Sequence, residues 1–228
     1  MIPCEIEVTP GWRQAFPGGQ IGLLLVGGVD NRQPSPALEQ HKREVEARLR
    51  SRYAAYDRPM LLQNEVLSAY KAYYKRFNKT YHVLLQLESV LGGKSLPAVN
   101  PLVDACFAAE LETHLLTASH DAELLSGKSQ IEASQGGEQI SQLGGAVKVV
   151  TSGDMLMRDE LGVVCTVIYG PDQRTAITPA TRAALYVTYV PPGVSAETVS
   201  AHHETIIANL LRVAPQAQMG MQVIHHSS

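Results

Sequence analysis

The chain has 228 residues, long enough for one large domain or two small ones. Hydrophobic residues make up 45% and charged residues 18%, with a net charge of −3, so a buried core is expected and a global pull toward nucleic acid or an anionic membrane is not. No run approaches 18 apolar residues, and MIPCEIEV has no basic segment leading into an apolar one; neither a membrane span nor a secretory leader is expected, and a cytoplasmic protein is the default.

CEIEVTPG alternates and ends in Pro-Gly, which predicts a strand. The apolar run Ile21–Val29 between glycines predicts a buried strand, and DNRQPSPAL a loop. Helical spacing follows over about 38–56, with Val45, Leu49 and Tyr53 on one stripe and Pro59 as a stop. MLLQNEVLSAYKAYYKRF predicts a second helix. A third, about 83–91, ends at Gly92-Gly93. Pro101 suits the first turn of a fourth, with Asn100 as N-cap, Asp104 where the helix dipole favours an acid, and an end near Thr113.

After Leu124 the texture changes to short apolar runs separated by Ser152-Gly153, Glu160-Leu161-Gly162 and Gly170-Pro171, which predict strands and tight turns. VSAETVSAHHETIIANLLRVAP predicts a last helix capped by Ser195, with Thr198 where a capping box wants Glu. The tail QMGMQVIHHSS is a candidate final strand, with His225 and His226 expected at a frayed, solvated end. Helices in the middle and strands on both sides, with no linker and no repeat, predict one α+β domain over residues 1–228, with mixed or antiparallel sheets and several packed helices.

Charge is uneven. Residues 38–80 carry ten Lys/Arg against five acids, leaving the segment at +5 and the remainder at −8. Arg48, Arg52, Lys71, Lys75 and Arg76 are the candidates for contact with an RNA backbone; the competing reading is an ordinary solvated helix face. Cys4, Cys106 and Cys165 make neither a disulfide framework nor a C-x-x-C pair. HHETIIANLL lacks the second His of a zinc helix, and the glycines of GGQIGLLLVGGV match neither phosphate-loop order. No G-x-S-x-G elbow occurs, and no metal or cofactor is expected.

Read in order, FPGGQIGLLLVGGVDN, the run from AYKAYYKRF through GGKSLPAVNPLVDACFAAEL, then ASHDAEL, GGEQISQLGG and RTAITPATRAALYV resemble the B3/B4 domain, and most closely its free-standing form. That domain is the editing module of the bacterial phenylalanyl-tRNA synthetase beta subunit. The resemblance covers nearly the whole chain, and GGKSLPAVNPLVDA is its most specific block. It implies tRNA or aminoacyl-tRNA as partner and hydrolysis of a mischarged ester as activity, without aminoacylation. The alternative is a non-catalytic module that binds an amino acid or another small ligand.

The resemblance also nominates residues. His114, His120 and Glu138 are the catalytic candidates, the histidines as base or water anchor. Asn100, Asp104, Asp121, Tyr169, Arg174, Thr175 and Thr178 are the substrate-binding candidates. The chain departs from the family at Phe107, where free-standing members often carry Asn, and at Leu116-Thr117-Ala118, in place of Pro-x-Gly. Ile168-Tyr169-Gly170-Pro171 replaces a frequent Trp-Asn-Trp-Arg run.

Overall fold

The computed structural model describes residues 5–227. Cys4 lies outside them. The fold is α+β and is organised around a four-stranded antiparallel sheet. Its members are β2 (Gln20–Gly27), β3 (Thr117–Asp121), β10 (Ala183–Val190) and β11 (Gln218–His226), in the order β11-β2-β10-β3. Side chains alternate across each strand. Ile21, Leu23, Leu25, Leu185, Val187 and Tyr189 enter the main core on one face, while Leu24, Val26, Ala184 and Tyr186 enter a second core on the other. Both faces are covered, and that is why these strands read as continuous apolar runs.

The second core lies under α6 (Pro101–Thr113) and α7 (Ala196–Val213), which supply Leu102, Ala105, Cys106, Ala109, Ile206 and Leu210. Gly22 of β2 is required here: a Cβ at that position would stand 2.5 Å from His203 Nε2.

The main core lies between this sheet and a second one, of order β1-β4-β7-β8-β9: β1 (Ile6–Val8), β4 (Ser129–Ala133), β7 (Met155–Asp159), β8 (Gly162–Thr166) and β9 (Gly170–Pro171). β1 runs parallel to β4 and the other pairs are antiparallel. A separate hairpin joins β5 (Gln139–Ser141) to β6 (Val147–Val149).

Four further helices close this core: α1 (Pro10–Ala15), α2 (Pro36–Arg52), α4 (Glu65–Lys75) and α5 (His82–Leu91). Tyrosines on α4 tie the layers together through their hydroxyls. Tyr70 donates to Tyr189 O (2.6 Å), Tyr73 to Asp154 Oδ1 (2.6 Å) and Tyr74 to Val167 O (2.9 Å). Tyr81, just ahead of α5, stacks on Tyr70 at 4.3 Å between centroids.

Two expectations change. The single helix predicted over MLLQNEVLSAYKAYYKRF is two: α3 (Arg58–Leu61), N-capped by Asp57, and α4, N-capped by Asn64. Asn64 Oδ1 accepts from the N–H groups of both Val66 and Leu67 (3.0 and 3.1 Å), so a cap side chain restarts the helix where the apolar spacing alone runs on. His225 and His226 stand in β11, paired with Ile21 and Gln20, not at a frayed end. The other caps hold: Asn100 Oδ1 accepts from Val103 N–H and Ser195 Oγ from Thr198 N–H.

Candidate binding cleft

A cleft of about 340 Å³ opens between β3 of the first sheet and β8–β9 of the second, bounded by α6 and the first turns of α5. Its walls are mainly apolar, with Val103, Phe107, Leu116, Ala118, Val167 and Ile177 among them. Its polar groups are Asn100, His82 and Gln86, together with Glu110, Thr117, Ser119, Thr166 and Tyr189. Leu143, on the β5–β6 turn, borders the mouth with 60% of its surface exposed. Size and lining suit a small organic group held by apolar contact and oriented by a few hydrogen bonds.

The block GGKSLPAVNPLVDA builds one wall by tethering residues 94–100 to α2. Lys42 Nζ donates to Asp104 Oδ2, Glu39 Oε1 and Pro97 O, each at 2.8 Å, which uses all three of its protons. Asp104 Oδ1 accepts from Val99 N–H (2.9 Å), and Glu46 Oε1 from Leu96 N–H (2.7 Å). Asn31, itself buried, donates to Asn100 Oδ1 and Thr178 O and accepts from Leu102 N–H. Asn100 thus starts α6 and faces the cleft at once.

Among the residues nominated from sequence, Asn100 borders the cleft and the rest do not. Asp104 is engaged with Lys42. His114 is the C-cap of α6 at φ 64°, buried, with Nε2 bonded to Tyr53 OH (3.0 Å). Burial, with Arg52 nearby, pushes its pKa down to about 4. His120 is buried between the sheets, its Nδ1 bonded to Thr175 Oγ1 (2.9 Å). Burial, with Arg174 nearby, pushes it down to about 3, so it stays neutral at physiological pH.

Arg174 forms a two-pronged ion pair with Asp159 (2.9 and 3.0 Å) and donates to Leu124 O, so its guanidinium is committed to the fold. Asp121 caps the turn at Glu123 and accepts from Thr181 Oγ1 (2.6 Å). Thr178 accepts from Ala180 N–H (3.2 Å). Glu138 closes the turn after β4, accepting from Ser134 Oγ (2.7 Å) and Gln135 N–H (2.9 Å). Gly136 and Gly137 in that turn have φ of 91° and 94°, which explains the Gly-Gly-Glu sequence. Tyr169 OH meets Thr151 Oγ1 at 3.3 Å. Several of these residues stand one position from the cleft: Ser119 beside His120, Gly170 beside Tyr169 and Ala176 beside Thr175 all line it.

Sequence reasoning missed Glu110. It is 1% exposed, borders the cleft, and accepts from Thr117 N–H at 2.7 Å. With no cation beside it, burial pushes its carboxyl up to about 8. Behind Thr117 runs a buried chain of polar contacts. His202 bridges Thr113 Oγ1 and Thr117 Oγ1 (2.7 Å each), and Thr117 Oγ1 meets Thr188 Oγ1 at 2.8 Å. The available signal was an acid inside the apolar run ACFAAEL with no Lys or Arg one turn away.

The basic segment divides. Arg48 pairs with Glu112 (2.6 Å), Arg52 lies over the Tyr53 ring, and Arg76 lies over the rings of Phe16, Tyr73 and Phe77. Lys71 and Lys75 instead border a shallow groove with Arg58, Lys79, Tyr81 and Leu84. Arg58 is paired with Glu88; the three lysines form no ion pair among the described residues. The groove and the cleft share no lining residue but both border the start of α5, with Tyr81 and Leu84 lining the first and His82 and Gln86 the second.

The B3/4 domain matches residues 68–208. The chain belongs to the B3/4 domain family. Its fold is similar to that of an N-terminal fragment of the phenylalanyl-tRNA synthetase beta-subunit from Pyrococcus horikoshii, with a TM-score of 0.50 at 9% identity. The match covers 98% of this chain and 54% of the fragment, so this B3/4 chain spans about half of that structure. No curated protein matches it. Among the described residues, no helix is long and apolar enough to cross a membrane.

Proposed function

We propose that this B3/4 domain binds the aminoacyl end of a charged tRNA and releases a mischarged aminoacyl group by ester hydrolysis. The observation that carries the reading is a preformed apolar cleft that borders the same helix, α5, as a groove lined by Lys71, Lys75 and Lys79. A phosphate backbone lying against Lys71, Lys75 and Lys79 would have to round the start of α5 to bring its terminal ribose to the apolar pocket.

The chemistry asks little of the protein. Water attacks the ester carbonyl, the bond to the ribose oxygen breaks, and the proton leaves on the ribose hydroxyl. The ester is already activated and the neighbouring ribose hydroxyl assists. The protein has to place the group, orient the water and exclude the correct amino acid. Asn100, whose oxygen is fixed by Asn31 and Val103, is positioned at the rim for that orientation.

Incubating the protein with tyrosyl-tRNA and other mischarged tRNAs tests the reading. Deacylation above background is expected, along with tRNA binding that weakens as salt rises. Neither deacylation nor binding at low salt would overturn it.

A second reading, a non-catalytic module that holds a small ligand, is favoured by the placement of His114 and His120 away from the cleft. Stabilisation by free amino acids that tRNA leaves unchanged would select it.

A further inference from the structure

We infer that the cleft continues into a second subsite along α5, and that Lys94 at its far end takes the phosphate nearest to the ligand's ester. This rests on the cleft being the ligand site, as proposed above, and it fixes the path by which the nucleotide leaves that site.

Two depressions share lining residues with the cleft and so continue it. One, of about 290 Å³, shares His82 and Gln86 and lies between α5 and residues 94–97. The other, of about 300 Å³, shares Val99 and Asn100. Their charges differ. In the second, Glu39 and Asp104 share the single ammonium of Lys42, and Arg32 is already paired with Asp30 at 2.7 Å. In the first, no lining residue is acidic, and Lys94 forms no ion pair among the described residues. The acids nearby are committed elsewhere: Glu88 to Arg58, and Glu46 to Arg50 and Leu96 N–H. The cleft itself is lined by no Lys or Arg, so Lys94 is the first cation that a phosphate meets along a continuous surface.

The far end of this subsite is held in place. Gly93, at φ 94°, lets Lys94 N–H reach back to Ser89 O (3.0 Å), which closes the C-terminus of α5. Arg50 braces the same turn from α2, with Nε on Val90 O (2.9 Å) and Nη2 on Lys94 O (3.0 Å). The backbone of Lys94 is therefore fixed while its side chain stands exposed. Val90, Leu96 and Leu111 are buried beneath, and Leu85, 43% exposed, offers an apolar surface to the face of a ribose. His82 and Ser89 both line the path and lie about 10 Å apart along the helix. A ribose with its phosphate, met by an extended lysine side chain, spans that distance. The groove at Lys71, Lys75 and Lys79 shares no lining residue with the cleft and is left to phosphates further along the chain.

The probes are 3′-aminoacylamino-3′-deoxyadenosines carrying tyrosyl, phenylalanyl or alanyl, amide mimics of the charged end, each with and without a 5′-phosphate. Binding to the wild-type chain, Lys94→Gln, Lys94→Arg and Lys75→Gln is measured by calorimetry at low salt, with thermal melts to check each variant. For the acyl group that the cleft accepts, the phosphate is expected to tighten wild-type binding about three- to fivefold, and the gain to shrink as salt rises. Lys94→Gln is expected to abolish the gain and Lys94→Arg to keep it. Equal binding of phosphorylated and bare mimics by the wild-type chain, or no binding of any mimic, would overturn the inference. So would a gain that survives Lys94→Gln, and its loss in Lys75→Gln would move the phosphate to the other groove. No ester is cleaved in this assay. A Lys94-dependent gain in a protein that deacylates no tRNA would leave the inference standing and remove the editing reading. Deacylation of tRNA with no phosphate gain on any mimic would do the reverse.

Discussion

Asp104 and Glu110 sit six residues apart on one helix, both nearly fully buried, and they do opposite things. Asp104 faces Lys42, and between them every donor and acceptor on the pair is used: three carbonyl or carboxylate partners for the ammonium, Val99 N–H and the ammonium for the carboxylate. Glu110 has one backbone partner and no cation, and answers burial by holding its proton. A buried acid with a saturated shell is architecture. A buried acid with an open oxygen in a cleft is available to a ligand.

Lowering the pH disturbs both regions most. His114 and His203 are pushed down to about 4, and His120 and His202 to about 3, chiefly by burial. The unfolded chain binds protons at these four sites from about pH 6.5 downward while the folded chain does not. Stability therefore falls as pH drops below about 6.5, and chemical denaturation followed between pH 7 and pH 4 is expected to show a steep loss, several kcal/mol in all.

Asp104→Ala comes next. It leaves the Lys42 ammonium buried and unpaired, at a cost of about 3–5 kcal/mol, read as a fall in denaturation midpoint. Adding Lys42→Met to Asp104→Leu is expected to recover most of that loss, because the charge and its desolvation leave together. Failure of the double variant to recover would make Asp104 more than half of an ion pair.

Glu110→Gln is expected to move the other way. Because the folded carboxyl is raised to about 8, the folded state holds a proton that the unfolded state loses near its ordinary value of 4.5. Wild-type stability drains as pH rises from about 4.5 to about 8 and levels above it. The Gln variant removes that slope, gaining on the order of 3 kcal/mol over wild type at pH 7 to 8. Parallel profiles for the two proteins would show that Glu110 is not held neutral.

The smallest effect on stability is expected at the basic groove. Lys71→Ala with Lys75→Ala changes folding by less than about 0.5 kcal/mol, since neither lysine has an ion-pair partner among the described residues. It weakens tRNA binding across all sequences and lowers the slope of log affinity against log salt by about 0.7–0.9 per lysine in contact. Filter binding at several salt concentrations reads this directly.

Much of the fold was legible because it is written locally. The Asn100 and Ser195 caps, the buried strand at Ile21 and the turn at Gly136-Gly137 each follow from residue types and their spacing. The break at Asn64 was legible in principle, but apolar periodicity outweighed a single cap residue. The site was less legible because its decisive quantity is pairing, which depends on residues far apart in sequence. Asp104 and Lys42 are 62 positions apart, as distant from a reader of the chain as Arg174 is from a phosphate it does not hold. Glu110 stood out only negatively, as a charge whose partner never comes.

The central strand β2 has a further consequence, for the order of assembly. Its neighbours on the two sides, β10 and β11, are residues 183–190 and 218–226. A chain emerging from the ribosome carries Ile21-Gly22-Leu23-Leu24-Leu25-Val26 as an apolar segment with both hydrogen-bonding edges open until residues 183–226 have been made. Such a segment is the natural seed for pairing with the wrong strand or another chain, so timing falls on the last strands to appear. The middle helices can cover one face of β2 early. They cannot supply its ladder, and folding of the principal sheet waits for the C-terminal quarter.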